Sequence, residues 1–160
     1  MEIYILRHGD AEPRSAEVEE ADRKLTPKGR RDVENVMRAA SECKVRPELV
    51  LTSPYRRAVE TAQIAIGELD PKPKLVETEL LLPEGRVEQA WKELRSHAAV
   101  QEILLAGHEP QLSQLVAYLL GAPTLLLDLK KGALVRISMD RIGVHPQGEL
   151  KWVVTPGFFR

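Results

Sequence analysis

Ile3-Tyr4-Ile5-Leu6 followed directly by Arg7-His8-Gly9-Asp10 opens the chain and decides how the rest is read. The apolar run suits a short buried strand, because β-branched and aromatic side chains fit a pleat and Gly9 punctuates its end. A guanidinium and an imidazole are thereby delivered to one strand terminus. Neither gains from the other except by sharing an anion, so the junction calls for a phosphate-like group between them.

Working outward, the same junction recurs. Leu49-Val50-Leu51-Thr52 reads as a second buried strand, and Ser53-Pro54 as the cap and first-turn proline of a helix continuing through Thr61-Ala62. Arg56 and Arg57 fall in its first turn, where cations oppose the helix macrodipole unless an anion shares the site. Glu102-Ile103-Leu104-Leu105-Ala106 predicts another strand. It ends in Gly107-His108-Glu109-Pro110, which opens an amphipathic helix carrying Leu112, Leu115, Val116, Leu119 and Leu120 on one side and closing at Gly121.

Between these segments lie the covering elements. A helix from Pro27 to about Cys43, capped by Thr26, places Val33, Val36, Met37 and Ala40 on one face. Lys74-Leu75-Val76 is a short strand, and Val87, Ala90, Trp91 and Leu94 recur at helical spacing up to about His97, with Trp91 read as core. Ala133 to Ile137 and Leu150 to Val154 finish the chain as antiparallel strands. Alternating strands and helices predict an α/β fold of three layers, α/β/α, with a mostly parallel central sheet and antiparallel C-terminal strands. Such sheets place their sites beyond the carboxyl ends of the strands, so three segments aim cations or imidazoles at one edge.

Composition narrows the function. The 160 residues fit a single domain spanning the chain, able to bury roughly 70% of the unfolded surface. Cys43 is the only cysteine, which rules out an internal disulfide and suits a reducing compartment. The chain opens on a strand without a basic, apolar leader, and no apolar stretch approaches the ~18 residues of a membrane span. The expectation is a soluble cytoplasmic protein.

A formal charge of −1 disfavours a polybasic nucleic-acid surface, so any anion site is local. The polar stretch from Asp10 to Lys24, acidic in its middle, reads as an exposed loop: a solvated connector, or a rim that selects substrates. His97 and His145 sit in polar or turn contexts and read as surface. No metal or other cofactor is expected, because arginines beside His8 and His108 repel a cation and no carboxylates at metal spacing accompany them.

Taken together, these motifs resemble the histidine phosphatase superfamily, of phosphoglycerate-mutase-like fold. Leu6-Arg7-His8-Gly9-Asp10-Ala11-Glu12 is similar to the family's signature, Leu25-Thr26-Pro27-Lys28-Gly29 to its Leu-Thr-x-x-Gly segment, Ser53-Pro54-Tyr55-Arg56-Arg57-Ala58 through Thr61-Ala62 to its arginine motif, and Gly107-His108 to its second histidine. The short chain, with no large insertion, looks most like the SixA-like protein-phosphohistidine phosphatases. The resemblance implies a phosphoenzyme mechanism with His8 as nucleophile and Arg7, Arg57 and His108 around the phosphoryl group. Arg57 is preferred to Arg56 because it directly precedes the alanine of the motif.

Physical chemistry agrees with that implication. A phosphoryl group in transfer spreads charge over its equatorial oxygens, so an aligned nucleophile and preorganised cations suffice. The resemblance also assigns a general acid to a loop carboxylate: Glu79 matches that position, Glu84 is the rival, and SixA-like members depart from the pattern here. A phosphohistidine leaves through a ring nitrogen and needs less protonation than an alkoxide. The partner expected is therefore a protein bearing phosphohistidine. Two alternatives stay open: a phosphatase for small phosphate esters, and a non-catalytic phosphate-binding adaptor.

Overall fold

In the computed structural model, which describes residues 1–159, the apolar runs assemble into one six-stranded sheet. The elements in chain order are β1 (Glu2–Arg7), α1 (Pro27–Glu42), β2 (Leu49–Thr52), α2 (Arg56–Glu68), β3 (Lys74–Glu77), α3 (Val87–Ser96), β4 (Glu102–Gly107), α4 (Gln111–Leu119), β5 (Leu134–Ser138) and β6 (Glu149–Val154). Across the sheet the order is β3-β2-β4-β1-β5-β6. The first four of that order run parallel, β5 is antiparallel to β1, and β6 is antiparallel to β5.

Strand alternation divides each apolar run between two cores. Ile3 and Ile5 of β1 join Ile103 and Leu105 of β4 against Trp91 and Leu94 of α3 and Leu112, Leu115 and Leu119 of α4. Tyr4 and Leu6 join Leu104 and Ala106 against Val33, Val36 and Met37 of α1 and Ala62 and Ala65 of α2. The result is the expected three-layer α/β/α fold with antiparallel strands at the C-terminal side. Trp91 is core, and its indole N–H donates to the Val144 carbonyl at 3.0 Å.

Register decides where the site forms. Leu6 of β1 and Thr52 of β2 both pair with Ala106 of β4, and Arg7 pairs with Gly107. Three neighbouring strands thus end level, about 4.8 Å apart, and the residues after them emerge side by side.

Two helix starts differ from the sequence reading. Thr26 caps α1 as expected, its Oγ1 accepting from the Gly29 N–H at 3.0 Å. Ser53 does not cap α2. That helix begins at Arg56 with Tyr55 in the cap position and no side-chain cap, because Ser53 lies two residues too early, where its hydroxyl accepts from the Tyr55 N–H at 3.3 Å. Likewise α4 begins at Gln111 rather than at Gly107, since Gly107 still pairs with Arg7 in the sheet.

Candidate active site

His8 is the first residue beyond β1, and its main-chain N–H still donates to the Gly107 carbonyl at 3.0 Å, which ties β1 and β4 together at the site. The imidazole is 7% exposed. Its Nδ1 lies 2.7 Å from the Gly9 carbonyl, which can only accept, so Nδ1 carries the proton and Nε2 holds the free lone pair. That lone pair faces the Arg57 Nε–H at 3.4 Å. Burial, with Arg57 and Arg7 nearby, pulls the His8 pKa down to about 3, so the ring is neutral at physiological pH.

His108 leaves β4 beside it, with ring centroids 5.1 Å apart. Its Nε2 pairs with Ser53 Oγ at 2.7 Å, while its buried Nδ1 has no partner among the described residues. Burial first, then the neighbouring His8 and arginines, push its pKa far below the ordinary value. Tyr55 packs edge-on against this ring at 5.2 Å and lies under the Arg57 guanidinium at 5.0 Å.

The arginines complete the constellation. Arg57, on the first turn of α2, is buried, and its fork is held by Glu20: Nη1 donates to the Glu20 carbonyl at 2.7 Å and Nη2 lies 3.0 Å from Oε1. Arg7 donates from Nη1 to the Leu129 carbonyl at 2.7 Å, and its buried Nε has no partner among the described residues. Burial lowers the pKa of both guanidinium groups, which nevertheless stay charged. Arg56 points away and pairs with Glu60 at 3.1 Å with half its side chain exposed.

Two charged groups around a neutral lone pair, with the unpartnered Arg7 Nε–H among their donors, form a receptor for a tetrahedral anion. The structure brings His8, Arg7, Arg57 and His108 together. Glu79 is exposed on the 3₁₀ turn Glu79–Leu81 after β3, and no hydrogen bond or ion pair joins its side chain to another described residue. Glu84 is exposed on the same loop. Among the described residues no group of three or more His, Cys, Asp or Glu is placed to hold a metal ion.

Beyond geometry, a sequence model described as histidine phosphatase superfamily (branch 1) matches residues 3–85, which hold three of the four motif segments. The chain belongs to the histidine phosphatase superfamily. This histidine phosphatase is 35% identical to an uncharacterized protein of Picosynechococcus sp. (strain PCC 7002), covering 98% of this chain and 97% of the other. It is 28% identical to the phosphohistidine phosphatase SixA of Escherichia coli (strain K12), covering 98% and 94%. Its structure matches that of the protein histidine phosphatase SixA complexed with tungstate with a TM-score of 0.88 and 26% identity, each chain covered in full. The resemblance carried by the motif segments is borne out.

The sequence reading missed two contributors to this histidine phosphatase site. Ser53 reads in the sequence as a helix cap, yet it hydrogen-bonds His108; a Ser at a strand end facing a second strand-end histidine is the available signal. Glu20 lay within an acidic stretch without periodicity, and only the fold carries it to Arg57.

Proposed function

We propose that this protein is a metal-independent phosphatase that works through a phosphorylated His8 and removes phosphate from phosphohistidine on a partner protein. The observation that carries the reading is the fixed tautomer of His8, whose Nε2 lone pair is held among Arg57, Arg7 and His108 while its Nδ1–H is tied to the backbone. His8 Nε2 attacks phosphorus and the substrate's P–N bond breaks, the leaving imidazole taking a proton from solvent, to which the attacking water of the second step returns one. Water then attacks the phosphorus, the bond to Nε2 breaks, and orthophosphate departs as the neutral imidazole returns. Arg7 and Arg57 hold the equatorial oxygens in both steps, and His108 presents Nδ1 toward them.

An imidazole leaving group fits a site whose candidate acid, Glu79, stands exposed and without a fixed partner. The similarity to the SixA phosphatases supports the same substrate class. A cytoplasmic setting is part of the proposal: no described helix is long and apolar enough to cross a membrane, and Cys43 is free.

The test is a quenched reaction of wild type and His8→Ala with a phosphohistidine-bearing protein, following phosphate release and covalent label. Release with acid-labile label on His8, both lost in the variant, is the expected result. Label from small phosphoesters without turnover of the protein would move the function to metabolite hydrolysis. No label from either, with phosphate still bound, would leave an adaptor.

A further inference from the structure

The polar loop between β1 and α1 does more than connect them. Its 3₁₀ turn, Glu20–Asp22, lies against α2, and Glu20 takes both Nη groups of Arg57, one through its carbonyl oxygen and one through its carboxylate. That leaves the Nε–H facing His8. Glu20 is itself held from behind, by Arg23 at 2.8 Å and Arg14 at 3.2 Å, and Arg23 is in turn anchored to the Glu12 carbonyl at 2.7 Å. The loop is closed at its base by a bridge between Ala11 and Leu25.

A guanidinium on a flexible stem binds phosphate well only when its fork is already aimed, because ordering a free arginine costs about 2 kcal/mol of rotamer entropy at the moment of binding. Arg57 has two available edges. The end of the fork, Nη1 and Nη2, is occupied by Glu20, so the Nε side is the one offered to an anion on His8. Without the Glu20 carboxylate only the main-chain contact at Nη1 remains, and the guanidinium is free to rotate its end edge toward the pocket or to leave it for solvent.

We propose that Glu20 is a positioning residue for catalysis: it fixes the Arg57 fork so that the Nε edge, rather than the end edge, meets the phosphoryl group. The assignment rests on the phosphatase reading above and adds to it a residue from the segment read as an exposed loop, connector or rim. Glu20 touches no reacting atom. Its carboxylate is about one-third exposed, so the pair contributes little to stability and its effect is on geometry. A misaimed donor lowers transfer rates by roughly 10- to 100-fold.

The experiment measures kcat and KM on a phosphohistidine-bearing protein for wild type, Glu20→Ala, Glu20→Gln, Arg57→Ala and the double variant Glu20→Ala/Arg57→Ala, with orthophosphate inhibition as a readout independent of substrate. Glu20→Ala is expected to lower kcat/KM by roughly 10- to 100-fold and to weaken orthophosphate inhibition. Glu20→Gln, which keeps an acceptor oxygen of the same reach, should recover activity to within about threefold of wild type. In the Arg57→Ala background the Glu20 substitution should have no further effect, since its target is gone. Full activity in Glu20→Ala overturns the proposal, as does an equal loss with and without Arg57. Labelling of wild-type His8 separates the two readings: if wild type labels and turns over while Glu20→Ala matches it, the positioning role falls and the phosphatase reading stands.

Discussion

Acidification is the perturbation that bears most directly on the site, because two buried histidines are held neutral there. An ordinary histidine titrates near 6.5, whereas burial draws His8 to about 3 and His108 lower still. As pH falls through 6.5 the unfolded chain binds a proton at each of these histidines and the folded protein does not. Stability is therefore fully present above pH 6.5 and is lost as pH falls toward the folded values, at about 1.4 kcal/mol per pH unit per histidine. Between pH 6.5 and 5 this amounts to about 2 kcal/mol for His8 alone, a large part of the 5–15 kcal/mol typical of a domain. The assay is urea unfolding at pH 7.5 and 5.0 for wild type and His8→Asn. The variant lacks the titrating group, so its loss of stability between the two pH values should be about 2 kcal/mol smaller. Histidine 13C shifts supply the direct check, with His8 unprotonated at pH 5. An identical pH dependence in both proteins, or a His8 midpoint at 6 or above, would refute the argument.

Other outcomes follow from individual contacts. Ser53→Ala removes the hydrogen-bond partner of His108 Nε2 and should lower stability by about 1–3 kcal/mol in urea unfolding, together with a fall in turnover. Gly29→Ala would set a Cβ 2.1 Å from the Asp10 carbonyl oxygen; main chain must move, and a loss of about 3 kcal/mol or more is expected by thermal unfolding. Glu79→Gln should reduce hydrolysis of alkyl phosphates by roughly 10²-fold if any such activity is present, and leave phosphohistidine turnover within about threefold, read by parallel kcat measurements on the two substrates.

How far the sequence reached depended on the range of the interactions involved. Apolar runs of four to six residues announced β1, β2 and β4, and the start of α1 was legible because Thr26 and Pro27 are a local signal. The start of α2 was misread for a complementary reason. Ser53-Pro54 carries the same local signal, but Ser53 sits two residues before the cap position, and its hydroxyl accepts from the Tyr55 N–H at 3.3 Å while also meeting His108, 55 residues away. Gly29 shows the same limit from the other side: its motif position is visible in the sequence, but the need for glycine arises from the Asp10 backbone packed against it.

The sequence by itself determined the layers of the fold and the edge of the sheet where Arg7, His8 and His108 gather, since periodicity and strand-end chemistry are properties of short segments; the preference for Arg57 over Arg56 came from the resemblance. Only the tertiary structure decided the rest. The level register of β1, β2 and β4 sets the spacing of the two imidazoles, the Gly9 carbonyl fixes which ring nitrogen of His8 is free, and the loop fold brings Glu20 to Arg57 across 37 residues. Each of these is a contact whose partner lies on another element or depends on the path of the backbone, and no local pattern specifies it.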